Sequence, residues 1–146
     1  MIANQLLFLA GGAVLFALLG AFHMGGLRVI GWGKRERRRH PHLSVIVTFW
    51  SLGLLHLIEI AIGAWVFWLL LLLPGSGSLG ATFGGAPADY LYVAGISFVT
   101  LGFAEVEAQG AIRMVVMLFS LAGFMLITWS ATFIYTIWGE SFHEKR

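Results

Sequence analysis

Three ionisable residues, His23, His56 and Glu59, stand inside runs of sequence that are otherwise apolar. Ionisable groups in such surroundings are costly unless paired, so each is a candidate for function or for a structural partnership. His56 and Glu59 are three positions apart and share one face of a helix. A carboxylate beside an imidazole supports three chemistries: a hydrogen-bonded structural pair, a group titrating near neutrality that makes behaviour depend on pH, or part of a metal site. The metal pattern is incomplete, because di-iron bundles use Glu-x-x-His in the opposite order, in two copies with further glutamates. With one reversed pair and no Cys, a structural pair is expected, closed on itself or on a neighbouring helix. No cofactor is expected, and no metal beyond permeating monovalent cations.

The elements that must position these residues follow from composition. In 146 residues, 59% are hydrophobic and only 11% are Asp, Glu, Lys or Arg, against about 25% charged residues in a soluble domain. Mean hydropathy is +0.88. So few charges cannot cover a soluble surface of this size, and the bilayer is the expected solvent. Intrinsic disorder, collagen-like repeats and a disulfide scaffold are excluded by the same numbers. Three stretches, residues 5–30, 43–73 and 111–138, are long enough to cross a hydrocarbon core of about 30 Å as helices.

Six of the nine basic residues (Arg28, Lys34, Arg35, Arg37, Arg38 and Arg39) lie within twelve positions. Between two apolar runs this cluster reads as a topology signal rather than a nucleic-acid surface. The short loop 31–42 is therefore expected in the cytoplasm, with the N-terminus outside and the C-terminus, bearing Lys145 and Arg146, inside. Anionic lipid head groups are its expected partners, at about 1 kcal/mol per basic residue near the surface. Trp32 and Trp138 suit interfacial belts. A cleaved leader is not expected, because the positive charge follows the first apolar run instead of preceding it.

Between the second and third spans lies a loop rich in Gly and Ser, residues 74–86, and then an apolar segment, residues 87–99. That segment is too short to cross and suits a re-entrant helix, with Pro87 at a first helical position and Asp89 in the first turn. Residues 100–107 would then lie within the membrane, where backbone polar groups must be bonded or line water or an ion path. Carbonyls contributed by several subunits can replace an ion's hydration shell. A short helix would also aim its negative C-terminal end inward, which favours a cation.

Ser97-Phe98-Val99-Thr100-Leu101-Gly102-Phe103-Ala104-Glu105 resembles the end of the pore helix and the selectivity filter of the tetrameric potassium-channel superfamily, whose usual pattern is T-V-G-Y-G-D. The order of span, short helix, filter and span matches as well, and the first span resembles an extra N-terminal helix of some small bacterial members. The resemblance implies an all-α membrane protein with three transmembrane helices and a re-entrant pore helix. It implies a filter at 100–104 (Thr100, Leu101, Gly102, Phe103 and Ala104), with Glu105 where the family usually has Asp. Glu105 and Glu107 would then lie at the outer mouth with Arg113 neutralising one of them, a solvated interfacial cluster being the other reading of these three residues. Leu101 stands for Val, and Phe103 stands for Tyr and lacks its hydroxyl. Ala104 replaces a second glycine, where a Cβ at positive φ costs roughly 1 kcal/mol or more per subunit. That substitution bears on potassium over sodium selectivity.

The resulting division is an N-terminal helix at 1–30, the basic loop at 31–42, a pore domain at 43–139 and a tail at 140–146. Within the pore domain the outer helix spans 43–73 and the inner helix 111–138. The inner helix carries a candidate hinge, Gly123, with close helix packing as the other reading. It also carries a candidate pore-lining stripe of Thr128, Thr132 and Tyr135, whose threonines could instead bond their own backbone. The expected function is passive cation conduction, with potassium as permeant ligand, by a homotetramer in a bacterial inner (plasma) membrane. No enzymatic activity, voltage sensor or soluble sensing domain is expected. The alternatives are a non-selective or non-conducting membrane assembly with an altered filter, and a small membrane metal or redox protein built on His23, His56 and Glu59.

Overall fold

The computed structural model describes residues 2–32, 40–80, 82–101 and 107–142. It is all-α among these residues, with four helices: α1 (Ile2–Gly31), α2 (Pro41–Leu71), α3 (Pro87–Phe98) and α4 (Ile112–Phe142). Three of them are long and apolar enough to cross a membrane, with mean hydropathies of 2.1, 2.1 and 2.0 over their most apolar windows. Helices apolar around their whole circumference must satisfy their backbone internally when water is absent, which is what a continuous helix does. The chain is thus a multi-pass membrane protein by the character of its helices.

The helix ends have local causes. Pro41 opens α2 at its first position, where its missing N–H goes unneeded, and starts the helix two residues ahead of the expected 43. Pro87 does the same for α3, and the Asp89 carboxylate accepts a hydrogen bond from the Ala86 N–H at 3.0 Å. At the other end of α3, Thr100 adopts φ +55°. The Leu101 N–H donates to the Ile96 carbonyl at 3.0 Å, and the Thr100 N–H to the Ser97 carbonyl at 3.1 Å. This is a Schellman closure built on a threonine, where glycine is the usual residue. Helix α4 runs on to Phe142, past the expected 138, so residues 140–142 of the expected tail are helical. Aromatic contacts account for the extension: Phe142 packs on Trp138 at 4.5 Å and on His42 of α2 at 5.0 Å between ring centroids.

Helix α1 lies along α4, with a smaller contact to α2, while α3 is wedged between α2 and α4. The core is a run of buried aromatic and aliphatic side chains, with Phe67, Phe98 and Phe119 at its centre. Phe119 stacks edge-on to Phe67 and tilts against Phe98. Gly63 lies directly beneath the Phe119 ring, where any Cβ would collide with it.

The loop after α2 is fastened to the segment before α4. Ser78 and Gln109 exchange backbone hydrogen bonds of 3.1 and 2.8 Å as an antiparallel bridge, and the Ile112 N–H donates to the Ser76 carbonyl at 2.7 Å. Gly77, at φ +104°, makes the approach possible, because a Cβ there would strike the Gln109 carbonyl. Asn4 of α1 lies against Gly75, so the start of α1 and the end of α2 share one end of the bundle.

Candidate functional site

Glu59 is the centre of a buried polar cluster drawn from three helices. Its carboxylate accepts a hydrogen bond from His23 Nδ1 on α1 at 2.8 Å and another from His56 Nδ1, one turn earlier on α2, also at 2.8 Å. Ser130 Oγ of α4 lies 3.3 Å from His23 Nε2 and donates to it in this tautomer. Glu59 and His23 are completely buried, while the His56 side chain keeps 18% of its surface exposed. The two imidazoles lie 5.4 Å apart between centroids, 17° from parallel. Trp129 packs on His23 and Phe98 on His56.

Local sequence explains how each member reaches the centre. His56 and Glu59 share a face by their spacing. His23 is brought in because the glycines of α1 let it approach: Gly26 packs directly on Leu55, where a Cβ would collide. The pairing expected within α2 is therefore present, and His23 joins it from 36 residues away. Ser130 of α4 completes the set. No spacing rule links residues on different helices, so only the register between helices could have revealed them.

The end of α3 adjoins this cluster. Phe98, its last residue, is completely buried, touches the His56 ring, and sets its backbone against Gly123 of α4. A Cβ at Gly123 would overlap the Phe98 carbonyl. Gly123 thus has a packing role here, the second of its two sequence readings. Helix α3 starts beside Trp65 and Trp68 of α2 and ends at the level of His56 and Gly123, the sixteenth residue of α2 and the twelfth of α4. It traverses about half the bundle, as twelve residues at 1.5 Å each require (about 18 Å).

Of the expected filter, Thr100 and Leu101 are described, and both are exposed on this single chain. Gly102, Phe103, Ala104 and Glu105 lie outside the described residues, as do Lys34, Arg35, Arg37, Arg38 and Arg39 of the basic loop. Glu107 and Arg113 are exposed, and among the described residues they form no ion pair with each other. The hydroxyls of Thr128 and Thr132 donate to the carbonyls four residues earlier, at 2.8 and 3.1 Å. Both also border a groove of about 350 Å³ between α1 and α4, with Phe16, Gly20, Met125 and Trp129. Tyr135 is 78% exposed and is not part of that groove.

No family model, curated protein or solved structure matches the chain. The likeness to the potassium-channel superfamily therefore rests on residues 97–105 and on the order of the elements.

Proposed function

We propose that this chain is one subunit of a cation channel of the inner membrane of a bacterium, with four copies contributing carbonyls to a shared filter. The observation that carries the reading is the short helix α3. It enters the bundle from the end where Asn4 and Gly75 meet, stops halfway against Gly123, and hands the chain to Thr100 and Leu101. A helix that stops inside a membrane bundle leaves backbone behind it that needs water, an ion or protein to satisfy it. The residues that follow it are those that resemble a potassium filter.

In this reading α3 is the pore helix, and residues 100–104 line the ion path. The N–H groups of Thr100 and Leu101 are turned back into the helix end by the Schellman closure, which leaves carbonyls rather than N–H groups to face a cation. Glu105 and Glu107 raise the cation concentration at the outer mouth. The exposed apolar side chains of α4, among them Leu121, Phe124 and Met125, meet neighbouring subunits or lipid. One subunit holds a quarter of the filter, so a monomer does not conduct.

Ala104 favours a second reading, in which the outer filter is reshaped and the assembly conducts without strong preference or not at all. Reversal potentials in opposed potassium and sodium gradients separate the two. A potential tracking the potassium gradient supports a selective filter, and one near zero supports the reshaped filter.

A further inference from the structure

We propose that His23, His56 and Glu59 form a binding site for one divalent first-row transition cation of the Zn²⁺ class, clamping α1 to α2 beside the end of α3. His23, arriving from a different helix, adds a third candidate ligand to the His56 and Glu59 pair. One ligand atom from each of the three residues lies within 4.8 Å of the other two. Two imidazole nitrogens with one carboxylate are a donor set for Zn²⁺ and its neighbours, whereas Ca²⁺ and Mg²⁺ require six or more oxygens.

The geometry suits a shared ion. Two imidazoles bound to one tetrahedral ion at about 2.0–2.1 Å place their ring centroids roughly 5–5.5 Å apart, and the observed separation is 5.4 Å. An imidazole lone pair lies in the ring plane, so both planes must contain the ion. His23 is held by Ser130 and Trp129, and the half-buried His56 ring turns about its Cβ–Cγ bond to meet the ion. Ser130 supplies the outer support such ligands need: when His23 Nε2–H donates to Ser130 Oγ, the Nδ1 lone pair faces the site. This exchange is a change of tautomer and releases no proton from a neutral ring.

Charge points the same way. A buried carboxylate held by two imidazole hydrogen bonds is stabilised by a nearby cation. The C-terminal end of α3, where Phe98 meets His56, adds about half a negative charge nearby. A divalent cation answers both. The exposed edge of His56 provides entry and a fourth position for water or hydroxide, while the other two ligands stay dry. His40 and His42 are separate from the site, with His42 packed on Phe142 at the far end of α2. The inference does not depend on conduction, since an ion can clamp the helices whether or not the assembly passes current.

The test uses the purified full chain in detergent, stripped with a chelator and titrated with Zn²⁺, and in parallel with Co²⁺ as a coloured probe. The expected result is one equivalent bound per chain, with the intense visible absorption of tetrahedral Co²⁺. Glu59→Gln and His23→Ala should each abolish the saturable site, and Ser130→Ala should weaken binding about 10–100-fold. The serine variant loses only a hydroxyl and stays informative if the others fail to fold, which helical circular dichroism reports. Wild type binding no stoichiometric metal would overturn the proposal. So would binding left unchanged by Glu59→Gln, which would move the metal to other histidines.

Discussion

At the scale of single residues, two buried contacts hold the interior together, and each can be broken by a small change. Truncating Glu59 to Ala leaves two imidazole N–H groups without their acceptor in a dry interior. Leaving a buried donor unsatisfied costs about 1–3 kcal/mol, read as a fall in thermal unfolding temperature in detergent. Because His23 and His56 share the carboxylate, the double variant Glu59→Ala with His23→Ala should lose less than the sum of the single losses. Strict additivity would mean the three residues do not act together. Gly123→Ala is expected to destabilise by about 1–3 kcal/mol through overpacking against the Phe98 carbonyl. A variant of unchanged stability would return Gly123 to the role of a free hinge. The residue types at the cluster were legible in the sequence, because buried ionisable groups are conspicuous in apolar runs. Their meeting was not, since the contact between His23 and Glu59 depends on how α1 slides along α2 and α4.

Among the elements, α3 is the one on which the functional reading turns, and both of its ends are adjustable. Asp89→Ala removes the carboxylate that holds the Ala86 N–H and should cost about 1 kcal/mol. Thr100→Gly relieves a left-handed backbone at a β-branched residue and should raise stability by about 1 kcal/mol. In the proposed channel the same change also deletes the Thr100 hydroxyl from the filter, so stability rises while ion flux falls. Equal movement of both in one direction would contradict the division of roles. The start of α3 was legible, because Pro87 and Asp89 are local signals. The clip between Ser78 and Gln109 was not, because it joins two segments 31 residues apart through backbone groups that carry no sequence signature. The end of α4 was missed because aromatic packing of Phe142 on Trp138 and His42, rather than hydropathy, sustains its last turn.

For the whole molecule, the three long helices were legible from length and hydropathy alone, and the direction expected from the basic loop is open to test. The chain has no Cys, so single introduced cysteines report orientation without background. Asn4→Cys and Gln109→Cys should react with a membrane-impermeant maleimide in intact cells, and His40→Cys only after lysis. The reverse pattern would invert the topology and place the basic loop outside. The proposed subunit number and ion path would belong to an assembly, which a single chain's sequence encodes only through exposed apolar faces and a short filter-like segment. Conduction is therefore tested most directly on the assembled protein. The purified chain, shown to be folded and tetrameric by mass, is reconstituted in vesicles loaded with potassium, and efflux is followed after a counter-ion path is opened. Efflux well above that of protein-free vesicles, lost when Thr100 is changed to Pro, is the predicted result. A folded tetramer with no flux of potassium or sodium above the protein-free rate would contradict the channel reading.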